Sequence, residues 1–300
     1  MIRFLKRIFF TGAVLIGIFA ASRLIVRALP GDPLQTLMAE TGTSLSPEIL
    51  QAELGLNESP WRSIPKELIR FSRGDFGTSI LSKQPISIFI FPRILRSFEL
   101  TLFALALGTL LSLAFALPAA AKPGGRVDRL STTFSALAAA LPTPWFGPML
   151  IILFAVKLPI FSVDRSIFLP ALTLAFGFSS FWIRYVRTRV RETLQLGFAQ
   201  ASRARGLAEW KIIVKYGLVP AAPSMLAYLG TQFGNLLAGA FVTEVIFNWK
   251  GLGSLLVEAV LKRDYPVVEA ATFFAAASCL LGTFLGDLAQ ENLDPRREVL

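Results

Sequence analysis

Three stretches of this chain, residues 100–121, 134–156 and 221–243, contain no charged side chain at all. Each is longer than the ~20 residues that a helix rising ~1.5 Å per residue needs to cross ~30 Å of hydrocarbon. A helix buried in a soluble core rarely needs an uncharged run of that length. The rest of the composition agrees: 54% of residues are hydrophobic and 17% charged, where soluble domains carry about a quarter charged. The pattern predicts an all-α fold, a polytopic bundle of membrane helices.

Six spanning segments are expected, at residues 8–29, 100–121, 134–156, 167–183, 221–243 and 267–288. Arg23 and Arg27 interrupt the first. With Arg3, Lys6 and Arg7 in front and Ala20-Ala21-Ser22 behind, it also fits a cleaved signal peptide. The fourth is short, which a tilted or kinked helix tolerates. Basic residues on short loops favour the cytoplasmic side. An inner N-terminus places Arg3, Lys6 and Arg7 there, then Lys122, Arg126 and Arg129, then the dense series from Arg184 to Lys215, and finally Arg296 and Arg297. Both termini are therefore expected inside, with residues 30–98 outside.

Several function classes lose their usual chemistry. The formal charge of +10 has no zinc-spaced Cys/His set, base-reading helix or aromatic RNA signature beside it, so nucleic acid is not an expected partner. There is no histidine, and the one cysteine, Cys279, sits in an apolar run and reads as a packing residue. No phosphate-binding glycine loop ending in Lys and Ser/Thr occurs, so no nucleotide or other cofactor is expected. The acids Glu99, Glu244, Glu269 and Asp287 fall near predicted membrane ends, where an intramembrane enzyme or ion-coupled carrier needs polar groups deep in the bundle. An enzyme is not expected.

Two segments outside the spans are long enough to act. The outer one, residues 30–98, is rich in turn formers. In the inner one, residues 184–220, Arg184, Arg187 and Arg191 recur at helical spacing opposite Ile183, Val186, Val190 and Leu194. Gly197 interrupts that pattern, and a second helical run ends at Gly206. The expectation is a helix running out of the membrane, followed by two short helices joined at a glycine. Small residues and prolines (Leu141-Pro142-Thr143-Pro144, Gly230, Gly234, Gly239) fit close helix packing, and equally a bundle that rocks between two packings.

The inner run Gln200-Ala201-Ser202-Arg203-Ala204-Arg205-Gly206-Leu207 resembles the coupling-loop motif of ABC importer permeases, in the version of the dipeptide/oligopeptide/nickel permease family. Glu244 through Trp249, Gly251 and Gly253 are similar to that family's Glu-Thr-Val-Phe-Ser-Trp-Pro-Gly-Leu-Gly. So are Arg263-Asp264-Tyr265-Pro266, Gly74-Asp75-Phe76-Gly77-Thr78-Ser79 and Leu293-Asp294-Pro295-Arg296. Arg27 with Pro30-Gly31-Asp32-Pro33 resembles the signature of the first permease of the family's usual pair. Gln200 stands where the family has arginine or glutamate, and Lys250 replaces a proline.

The resemblance implies a type I ABC importer permease in the inner membrane. Residues 1–98 would form a first helix plus an outer segment, and residues 99–300 a five-helix core with its coupling loop at about 184–220. Implied partners are a second homologous permease, two ATP-binding cassette ATPases and an extracytoplasmic solute-binding protein. Peptides or peptide-like solutes are the expected cargo, with nickel or its chelates as the alternative. A self-contained secondary transporter is the rival of another class. A cavity for peptides could be lined by mildly polar residues such as Thr143, Ser179, Gln232 and Asn235.

Overall fold

The computed structural model describes residues 2–28, 60–162 and 166–293, with side chains at 9–25, 63–162 and 166–288. Pro30, Gly31, Asp32, Pro33 and the side chain of Arg27 lie outside the described residues, as does the closing Asp294-Pro295-Arg296. The described chain is helical: α1 (Ile2–Ala28), α2 (Pro60–Ser72), α3 (Ile86–Ala121), α4 (Arg126–Ala140), α5 (Thr143–Leu150), α6 (Phe168–Leu194), α7 (Gly197–Ala204), α8 (Glu209–Ile212), α9 (Val219–Ile246), α10 (Leu252–Leu261) and α11 (Tyr265–Leu293). Wider π-helical turns extend α5 over Ile151–Lys157 and join α8 to α9 over Ile213–Leu218.

Among the described residues, three uninterrupted helical stretches are long and apolar enough to cross a membrane: Ile86–Ala121, Glu209–Ile246 and Tyr265–Leu288. They contain the expected second, fifth and sixth spans. The expected third span is not one straight helix. It is a pair of limbs, Arg126–Ala140 and Thr143–Lys157, bent by 99°. The cause is local. A residue before proline is pushed out of the helical region, and Leu141 sits extended (φ −88°, ψ 115°) before an equally extended Pro142. In the first span the apolar stretch runs over Phe9–Ile25, and in the fourth α6 meets Arg184 after its apolar half.

Two compact units are present, Met1–Ser97 with Lys250–Leu280, and Phe98–Trp249 with Leu281–Leu300. In the first, phenylalanines from α1, α2 and α11 pack edge to face. Phe19 lies 4.9 Å from Phe71, Phe71 lies 5.4 Å from Phe273, and Phe76 lies 4.9 Å from Phe274. Such pairs add stabilisation beyond the area they bury. The same cluster explains how α1 carries a charge in an apolar helix. Arg23 is buried, and its guanidinium sits 3.1 Å from Glu269 of α11 and 3.8 Å from Glu67 of α2. A buried cation is tolerated only with such partners.

The second unit is organised on α6. Trp182, Ile183, Val186 and Val190 are fully buried, packed in one cluster with Leu100 and Ala104 of α3, Ile212 of α8 and Ala240 of α9. The rings of Trp182, Tyr185 and Tyr228 stack at 4.4–5.5 Å. At the far side, α9 and the end of α11 meet backbone to backbone: a Cβ on Gly230 would fall 2.1 Å from the Gly286 Cα. Gly230→Ala is therefore expected to destabilise by about 1–3 kcal/mol, the usual cost of overpacking. Gly239→Ala, in the same helix with open space around it, is expected to be neutral or slightly stabilising. Thermal melts of the detergent-purified protein check the pair.

Candidate functional site

After α6 the chain forms an elbow. Its helical phase ends at Gln195 and Leu196, two residues before the glycine expected to break it. Leu196 is extended (ψ 151°) and Gly197 is the first residue of α7. At the other end the expectation holds. Gly206 takes φ +74°, its N–H donates to the Arg203 carbonyl (2.9 Å), and the Leu207 N–H reaches back to the Ser202 carbonyl (3.3 Å). This double closure requires a left-handed residue after the helix, which glycine adopts without Cβ strain.

The elbow is two-faced. Ala199, Ser202 and Ile212 are fully buried, Ala199 and Ile212 in one cluster with Val190 and Leu194. The Ser202 hydroxyl donates to the Phe198 carbonyl. Gln200, Ala201, Arg203, Ala204, Arg205, Gly206 and Leu207 are all exposed, and Trp210 stands out beside them. Arg203 grips Glu209 through both carboxylate oxygens (2.8 and 3.3 Å), bracing α7 against α8. That guanidinium holds the Glu209 carboxyl below its usual range.

A strut fixes the base of the elbow. Asp128, in the first turn of α4, lies 2.7 Å from Arg187 and 3.4 Å from Arg191 of α6, and accepts the Gly124 N–H at 2.8 Å. The Gly124 N–H, helped by the charges of Arg187 and Arg191 against the opposing effect of burial, depresses the Asp128 carboxyl. Two of the recurring arginines thus serve a packing contact between α4 and α6.

The other family-like positions mark where helices stop. Beyond α9, Asn248 takes φ 50° and the Trp249 N–H closes on the Glu244 carbonyl (2.8 Å). Beyond α10, Arg263 takes φ 54° and the Asp264 N–H closes on the Ala259 carbonyl (2.9 Å). Gly74 (φ 81°) ends α2 the same way, through the Asp75 N–H and the Arg70 carbonyl. Gly251 is the N-cap of α10, Gly253 lies buried in its first turn, and Tyr265 and Pro266 open α11.

Two of these motifs meet. Asp264 is buried, accepting the Ser79 hydroxyl (2.5 Å) and the Ile80 N–H (3.1 Å). Nothing in the spacing of the two motifs, 185 residues apart, announces that contact. The side chain of Glu244 is fully buried, at the end of a helix and not on a surface.

Where the α4–α5 bend faces α6 and α9, it opens a cavity of about 370 Å³. Thr143, Ser180, Gln232 and Asn235 supply its polar lining, and Phe178 and Phe181 are among its apolar walls. Thr143, Gln232 and Asn235 were expected from the sequence. Ser179 is not there: its hydroxyl is turned onto the Phe176 carbonyl, and the next residue, Ser180, takes the place. No residue that lines this cavity is ionisable.

A family model described as "Binding-protein-dependent transport system inner membrane component" matches residues 108–299, which take in the elbow and the cavity. The chain belongs to this family. It is a membrane-spanning permease subunit of an ABC importer, from a family of transport components and not of enzymes. Over 310 aligned residues it is 30% identical to the oligopeptide transport system permease protein AppB of Bacillus subtilis, covering 98% of each chain. It is likewise 30% identical to the glutathione transport system permease protein GsiC of Pectobacterium atrosepticum, covering 97% of each. The fold is similar to a chain of the MetNI methionine ABC transporter (TM-score 0.61, 16% identity, 69% of this permease and 96% of that chain). An amino acid ABC transporter gives TM-score 0.53 at 17% identity, over 67% of this permease and 92% of that chain.

The depressed Asp128 carboxyl gives a signed expectation. Its contribution to stability is complete above the ordinary carboxyl pKa of 3.8 and is lost as pH falls through the lower, folded value. The melting temperature of Asp128→Asn should therefore lie below that of the parent at neutral pH. The gap should close only as pH drops below about 4. Melts at a series of pH values check both the sign and the window.

Proposed function

We propose that this permease imports peptides or peptide-like solutes, and that the exposed elbow from Gln200 to Leu207 takes its motion from a separate ATPase. Support for the elbow is its construction: a short helix, closed by Gly206, held by Arg203–Glu209 above and packed on α6 below. A stiff projection of that kind passes on displacement where a flexible loop absorbs it. In this reading two ATPases sit beneath the elbow, a second homologous permease completes the pore, and a solute-binding protein delivers cargo to the opposite face. ATP-driven closure rocks the bundle and turns the cavity outward. In this reading residues 1–98 supply the first helix and an outer segment, residues 99–300 are the moving core, and both termini lie in the cytoplasm.

For the cargo, the cavity carries the argument. Amide and hydroxyl groups of Gln232, Asn235, Thr143 and Ser180 offer both donors and acceptors, which suit peptide groups. The relatives that bear the names oligopeptide and glutathione permease point the same way. A pathway that ligates nickel directly wants imidazole or thiolate, and this chain has no histidine and a single cysteine, Cys279.

Three measurements test the proposal. Gly206→Val should fold and insert normally, while peptide uptake and peptide-stimulated ATP hydrolysis by the assembled importer drop together by about fivefold or more. Normal uptake by a well-expressed variant would remove the coupling role. Gln232→Leu with Asn235→Leu should lower uptake of a labelled tripeptide, and accumulation of nickel without any peptide transport would overturn the cargo assignment. For orientation, in a Cys279→Ser background, cysteines at the exposed positions Ser82 and Arg129 should react with an impermeant reagent from opposite sides of the membrane.

A further inference from the structure

A second cavity, of about 560 Å³, lies beside the elbow where the end of α3 meets the ends of α6 and α7 and the start of α8. Its charged lining is Lys122, Arg191, Arg203 and Glu209. The balance is cationic, and it is more so than the count suggests, because Glu209 is already committed to Arg203 through both oxygens. Lys122 acts on Glu209 through its charge without changing that commitment.

Arg191 is the informative member. Its Nε is buried and has no hydrogen-bond partner, and its Nη2 has only long contacts, 3.4 Å to the Ala119 carbonyl and 3.4 Å to Asp128. Asp128 in turn is spent on the shorter bond to Arg187 and on the Gly124 N–H. The Arg191 guanidinium as a whole is partly exposed, so its buried Nε is donor capacity left unused in a cavity that also holds a lysine. Native structures rarely leave such a donor unsatisfied, and a bound ion is among the ordinary explanations.

We propose that this cavity binds a phosphate-bearing anion, held by Arg191 and Lys122 with Arg203 at its rim. A planar guanidinium offers paired N–H groups that match two phosphate oxygens, and the lysine adds a compact charge. The cavity opens where α3, a helix apolar enough to span a membrane, gives way to Lys122 and Pro123. Basic pockets at such helix ends take anionic lipid headgroups. The same chemistry fits free phosphate. This reading does not depend on which solute the permease carries.

The test uses the full-length chain in its assembled importer, delipidated in detergent. Native mass spectrometry compares retention of phosphatidylglycerol with that of phosphatidylcholine, and thermal melts are run with and without inorganic phosphate. The expected result is preferential retention of phosphatidylglycerol, by about tenfold, that is abolished in Lys122→Gln/Arg191→Gln and kept in Lys262→Gln. A melt raised by inorganic phosphate in the parent and not in the double variant, without any lipid preference, assigns the site to the free anion. Where the double variant fails to assemble, Lys122→Glu alone should remove the effect. Equal binding in the parent and in assembled Lys122→Glu, or no preference for either probe in the parent, overturns the proposal.

Discussion

One face of α6 stays buried along its whole length, through the apolar half that ends at Ile183 and on through the arginine-rich half to Leu194. That continuity is what the second unit is built around. The apolar half seats α3, the α4–α5 bend and α9. The charged half seats the elbow on Val190 and Leu194, while its arginines reach sideways to Asp128. The helix runs unbroken out of the apolar region, so in the proposed coupling a push on the elbow would bear directly on the walls of the cavity. Rigidity here comes from packing density and not from any single bond.

Much of this architecture was legible because it rests on composition and period. Uncharged length locates two of the long spans, in α3 and α9, and the alternation of Ile183, Val186, Val190 and Leu194 with arginines predicts the buried stripe of α6. Gly206 announces its own left-handed turn. What escaped the sequence was geometry set by a few local restrictions. Residues 134–156 are apolar throughout, so periodicity shows one helix, and only the proline rule applied to Leu141 shows a bend of 99°. The rotation of a helix likewise decides between Ser179 and Ser180, and no count of apolar residues fixes that. Long-range ties such as Ser79 to Asp264 and Arg23 to Glu269 were invisible for the same reason.

The family-like motifs gain a physical meaning from the helix ends. Among the described residues, four of them, after α2, α7, α9 and α10, finish with one left-handed residue and a backward pair of backbone hydrogen bonds. At two of these the left-handed residue is glycine; at the others it is Asn248 and Arg263, with arginine the more strained choice. Such stops satisfy carbonyls that a helix end otherwise leaves open, and they fix the direction in which the chain departs. Motif similarity over a wide span of sequence is thus a record of where helices must turn, as much as of what binds.

The bend at Leu141 and Pro142 carries a further obligation. Extended backbone within an apolar bundle is tolerated only where protein covers it or water reaches it, and here it borders the cavity with Thr143, Gln232 and Asn235. The polar lining makes the notch a place that water can occupy. A hydrated recess between membrane helices is a partial path for ions and protons whenever both ends open together. In the proposed rocking cycle, alternation between the two faces would then be more than a way of moving cargo: it would be the seal that keeps the membrane's electrical gradient from draining through the importer.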